Sequence, residues 1–207
     1  MSSSPTVHEK AYRTYLEFFE VAERKRRWNV FDDIPWADLD ASTNTEQRAR
    51  CIETFSAQFA AFESEVFSST WQLPFPTRRQ MYCYGALQEV ATYLAYKAQK
   101  DLAIREGDPV RQAIFSFLSR DEAAHAGFYR AMVSLDLSED RAGTLADLAY
   151  VISRFKMPGD GLIPDYQQRL RSSGAGISTR LFVEHGLLPT LRTLGTSRAE
   201  LKAVLQK

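Results

Sequence analysis

Ile114, Leu118, Glu122, His125, Tyr129 and Met132 recur every three or four positions. That spacing predicts a helix of about five turns with one continuous inner face. It also sets an acid and an imidazole on a face that should be apolar. The stretch between Arg79 and Lys97 carries a single formal charge, Glu89, in seventeen residues. Tyr82, Ala86, Tyr93 and Tyr96 line one side of that predicted helix, and Leu87, Val90, Ala91 and Leu94 another. Two helices buried on most sides therefore each bring a carboxylate into the interior.

The rest of the chain reads as helices joined by clear breaks. Residues 8–28 set His8, Ala11, Tyr12, Tyr15, Phe18, Phe19 and Ala22 at helical spacing and close on Arg24 to Arg27, cations suited to a helix C-terminus. Residues 29–44, with Pro35, form a loop ending at a plausible helix start. From there to about Trp71, Ile52, Phe55, Phe59, Phe62 and Val66 form a packing seam bordered by Glu63. Leu73 to Pro76 break the chain before a helix from about Thr77 to Arg105. Gly107 ends that helix, Asp108 caps the next and Pro109 opens it. Shorter helices follow to about Phe155, near 164–172 and over 179–194, and Ser197 with Glu200 forms a capping box for a last one. No strand-like alternation and no repeat interrupts this pattern. The expected fold class is all-α. A single domain of 207 residues is expected, with a four-helix up-and-down bundle over about 8–134 and a helical extension over 139–207.

Charge and cysteine usage narrow the setting. Twenty-six basic residues balance 26 acidic ones, which gives no global field for nucleic acid or an anionic membrane. Cys51 and Cys83 form no close pair, so a reducing, cytoplasmic location is expected. The polar N-terminus lacks a signal-peptide core, and Glu89 with Gln88 spoils the most apolar segment as a membrane span.

A buried, ionised carboxylate without a partner costs several kcal/mol, on the order of the effective desolvation penalty. Glu89 and Glu122 thus call for an ion pair, a raised pKa or a bound cation. The central turns of their helices offer no Lys or Arg on the same faces. The Glu122-x-x-His125 spacing sets two ligand types on one helical face, and hard oxygen plus imidazole suits iron or manganese. A diiron carboxylate bundle uses a Glu from each of two helices and a Glu-x-x-His from each of two more.

The ordered series Ala86 to Thr92, Ser119 to His125 and Phe128 to Arg130 resembles the second ligand pair of the soluble acyl-acyl carrier protein desaturases, of ferritin-like fold. The resemblance runs on through Phe155 to Gly159, Ile163 to Asp165, Gly174 to Ile177 and His185 to Pro189, and includes Trp28 to Trp36. It implies Glu63, Glu89, Glu122 and His125 as metal ligands, Asp121 as an acid orienting a ligand histidine, and one or two iron ions. It further implies oxygen-dependent oxidation of an apolar or carrier-bound substrate, an acidic carrier protein as partner, and a homodimer. The substrate is expected beside Phe59, Tyr82 and Tyr93. The chain departs from the family by lacking one Glu-x-x-His helix. If Glu63 is aligned to that motif, its histidine position is Val66. Two other readings share the scaffold. One is metal-free acid/base chemistry (lyase, isomerase or cyclase) or apolar-ligand binding at Glu89 and Glu122. The other is a non-catalytic partner subunit using Arg24 to Arg27 and Arg78-Arg79.

Overall fold

The computed structural model describes residues 5–40, 74–158, 160, 165–168 and 177–205. Every regular element among them is helical, as the periodicity predicts. The expected helix over 45–71, with Phe59 and Glu63, lies outside the described residues.

Helix α1 (Val7–Val21) starts at a capping box in which Thr6 and Glu9 satisfy one another's backbone N–H groups. It runs into a π-helical turn, Ala22–Arg26, and stops there because Arg27 turns extended (ψ 131°). The chain thus leaves the helix slightly earlier than the expected end at residue 28. Helix α2 (Arg78–Glu106) ends at Gly107, whose φ of 68° is the left-handed conformation that glycine adopts without steric cost. Asp108 then accepts from the Arg111 N–H and caps α3 (Pro109–Glu139), with Pro109 in its first turn. Helix α4 (Arg141–Ser153) follows after one residue, Asp140, which accepts from Gly143 N–H.

Helices α2 and α3 pack antiparallel along their length, while α1 lies against α3 and α4 against α2 and α3. Cys83, Ala86, Leu87, Val133, Leu148 and Val151 are almost completely buried where α2, α3 and α4 meet. Phe75, just before α2, closes one end against Tyr84 and Tyr150. Three acids on α3, α4 and their junction tie down the start of α2: Asp136 meets Arg78, and Asp140 and Asp147 both meet Arg79.

The described residues from 177 to 205 are largely helical, while most of the helix expected near 164–172 lies outside the described residues. Helix α5 (Thr179–Phe182) passes through a π turn, Val183–Leu187, into α6 (Leu188–Thr193). Phe182 stacks flat on Phe155, with ring centres 5.0 Å apart. Helix α7 (Arg198–Leu205) begins at the predicted capping box, Ser197 with Glu200, and buries Leu201 in the core formed with α4. No helix among the described residues is long and apolar enough to cross a membrane.

Candidate metal centre and its cleft

Glu89 from the middle of α2 and Glu122 with His125 from α3 converge where the two helices face each other. One ligand atom from each lies within 4.8 Å of the others. The His125 Nδ1 stands 3.2 Å from Glu122 Oε2 and 3.8 Å from Glu89 Oε2. The carboxylates are withdrawn from water, their side chains 16% and 17% exposed, whereas the His125 side chain remains 58% exposed. The inner stripe thus delivers Glu122 inward as predicted but leaves His125 at a rim, because its side of α3 borders an open cleft.

Burial, then a hydrogen bond with Glu122 and that residue's charge, pushes the Glu89 carboxyl up to about 8. Neighbouring phenols register the same negative potential. Tyr96 is raised by burial and then by Glu122 and Glu89, and Tyr129 by burial and then by Glu89. Two crowded carboxylates with an imidazole across from them, and no lysine or arginine among the described residues bonded to either, form a donor set that fits a divalent cation of the iron or manganese type. The residues present therefore suit the metal the sequence resemblance implies, with three donors in place.

His125 and Glu89 open onto a cleft of about 620 Å³. Tyr15, Phe18 and Phe19 of α1, Arg26 of the π turn, Trp28, and Asp121, Ala124, Phe128 and Tyr129 of α3 form its walls. Phe128 meets Tyr15 and Phe18 edge to face, at 6.3 and 5.7 Å between centres. Trp28 stacks on Phe117 at 5.1 Å and donates its indole N–H to Asp121 Oδ2 at 2.8 Å. Arg120 donates to the Arg26 carbonyl and so pins the π turn against α3. Tyr129 reaches the floor of the cleft because its ring rests on Gly85, where an added Cβ would meet it at 2.7 Å.

These positions differ from the expected ones in three respects. Asp121 accepts from Trp28 and is not bonded to a histidine, since the chain leaving α1 brings the indole to it first. Tyr82 packs on Tyr129 beneath the Arg78 guanidinium and does not line the aromatic cleft. Tyr93 is turned to the other side of α2, where it borders a second cleft. The walls that the sequence reading missed are those of α1. Its aromatic stripe is visible in the sequence, but core and cleft walls have the same periodicity. The remaining histidines stand apart: His8 is exposed in the first turn of α1, and His185 is exposed in the π turn between α5 and α6.

Residues 72–179, which include Glu89, Glu122 and His125, match the Fatty acid desaturase family, and the chain belongs to that family. With the all-helical fold, this gives the ferritin-like architecture expected from the sequence. Two curated relatives are similar over about the same portion. The chain is 29% identical over 117 residues to magnesium-protoporphyrin IX monomethyl ester (oxidative) cyclase of Trichodesmium erythraeum, covering 53% of this chain and 32% of that protein. It is 28% identical over 118 residues to cyclase 1 of the same description from Synechocystis sp., with the same coverage of both chains. The match thus spans about a third of the length of these relatives. No solved structure matches the chain. The resemblance read from the sequence therefore holds for the family, while the relatives carry the name of a cyclase and not of an acyl-carrier desaturase.

Proposed function

We propose that the protein is a metal-dependent oxidoreductase in which Glu89, Glu122 and His125 hold iron and the aromatic cleft receives an apolar substrate, free or carrier-bound. The observation that carries this reading is the convergence of three hard and imidazole donors within 4.8 Å at the floor of a cleft. Membership of a desaturase family and relatives named as oxidative cyclases support it. Iron bound there supplies oxygen-dependent oxidation. Glu122 and His125, one helical turn apart on α3, would hold the metal together with Glu89 of α2. Tyr15, Phe18 and Phe128 exclude water and orient an apolar group toward His125. Glu63 remains a proposed further ligand, and the acidic carrier and the homodimer remain proposed partners.

The test is iron content per chain after anaerobic loading and desalting. We expect at least one retained iron in the native protein and its loss in Glu122→Ala and His125→Ala proteins that keep their helical circular dichroism. A native protein that retains none, or variants that retain as much, would overturn the assignment. A second reading rests on the Glu89 carboxyl, which is raised to about 8 and paired with Glu122. Such a group is protonated at neutral pH and suits general-acid chemistry without metal. Full activity after chelation would favour it.

A further inference from the structure

Arg130 borders a second cleft on α3, its Nη2 lying back over Gly127, about 4.0 Å from where a Cβ would stand there. Ala123, Ala126 and Arg130 follow one another at intervals of three and four, about half a turn around the helix from Ala124 and Phe128. With Val90 and Tyr93 of α2 and the segment from His185 to Thr193, they enclose this cleft of about 260 Å³. The space exists because α3 presents the small side chains of Ala123 and Ala126 beside Arg130 and because Gly186 lets the π turn approach α2. A Cβ at Gly186 would stand 3.0 Å from Val90. π turns of this kind recur at functional sites.

Among the described residues, no acid stands against the Arg130 guanidinium. Among the described arginines that are partly withdrawn from water, Arg79 and Arg111 each meet carboxylates, and Arg26 donates to the Phe18 carbonyl. Arg130 has no hydrogen bond or ion pair among the described residues, and burial alone draws its pKa down, with no acid acting on it. Among the described residues, the other polar side chains lining the cleft are Tyr93, His185, Thr190 and Thr193, the last donating its hydroxyl to the Pro189 carbonyl. None of these is anionic near neutral pH. A fixed cation held at a cleft of hydroxyls, an imidazole and an apolar wall recognises an oxyanion attached to a small apolar body.

We propose that the cleft formed by Arg130, His185, Thr190 and Thr193 binds a phosphate or carboxylate group of a small organic anion, at a site separate from the carboxylate centre. The guanidinium fork takes two of the anion's oxygens, His185 reaches it from the rim, and Val90, Tyr93 and Pro189 cover the attached apolar part.

The test titrates the full-length, iron-loaded protein with inorganic phosphate and, separately, with benzoate at matched ionic strength with chloride as reference. It reads the melting temperature and the heat of binding. A saturable response to phosphate alone assigns a phosphate ester, a response to benzoate alone assigns a carboxylate, and both together assign an oxyanion site without selectivity. Arg130→Gln should weaken binding by about tenfold or more, the worth of a lost charge-assisted contact, and the exposed His185→Gln should weaken it less. No saturable response to either anion, or an unchanged response in Arg130→Gln, would overturn the proposal. Should Arg130→Gln fail to fold, phenylglyoxal labelling of the native protein decides. Protection of the Arg130 peptide by the binding anion supports the site, and labelling at the same rate with and without anion refutes it.

Discussion

Glu89 lies between helices that bury it and a second carboxylate that repels its charge. In the metal-free protein the folded state keeps its proton up to about pH 8, while the unfolded chain releases it near 4.5. The native state thus binds more protons than the unfolded state throughout that window, and stability falls as pH rises through it. We expect urea midpoints of chelated protein to decline between pH 4.5 and 8 and then level off, and the decline to shrink in Glu89→Gln. An equal slope in the variant would show that another group carries it. At this scale the sequence was informative. A single charge in seventeen residues and an acid three places before a histidine are local patterns, and both residues meet as that spacing requires. The exposure of His125 and the bond from Trp28 to Asp121 were not legible, because each depends on where the chain turns after α1, ninety residues away along the sequence.

Helix ends were largely readable because capping is local. Thr77, Asp108 and Ser197 accept the backbone N–H bonds their side chains are suited for. The two π turns were not, since neither differs in composition from an ordinary helical turn, and the first is held by Arg120 from another element. The contact between α2 and α3 at Gly85 is likewise a tertiary fact. Gly85→Ala would gain helix propensity, yet its Cβ would meet the Tyr129 ring at 2.7–2.8 Å. Overpacking of that kind costs about 1–3 kcal/mol and outweighs the propensity gain of about 1 kcal/mol. The expected result is a net loss of stability by chemical denaturation, with weaker iron retention as Tyr129 is pushed toward the carboxylates. A variant more stable than the native protein would show that the ring moves away freely.

Across the whole molecule, the all-helical class followed from periodicity alone, but the cleft did not. Which aromatic stripe becomes core and which becomes wall is decided by how far α1 stands off from α3, a long-range property that no single segment encodes. The docking of the C-terminal helix is equally non-local and carries its own pH dependence. The Glu200 carboxyl is held down at about 2, first by Arg141 and then by the Ser197 hydrogen bonds. A carboxylate depressed in the folded state contributes stability above its unfolded value of 4.5 and loses it as pH falls toward 2. Acid titration should therefore release α7 from the core around Leu201, read as rising amide exchange in 198–205 between pH 4.5 and 2. Glu200→Gln should show the faster exchange already at neutral pH. Unchanged exchange in the variant would mean that Leu201 alone holds the helix.

The stacking of Trp28 on Phe117, with its indole hydrogen-bonded to the residue next to Glu122, gives the molecule a built-in optical gauge. Among the described residues, Trp28 is the indole in direct contact with the wall of the centre, whereas Trp36 is exposed and donates to the Val30 carbonyl. A change of charge at Glu122, or a molecule entering the cleft, alters the field and the quenchers around Trp28. Occupancy of the centre can therefore be followed by the protein's own emission, without a label and without knowing the reaction.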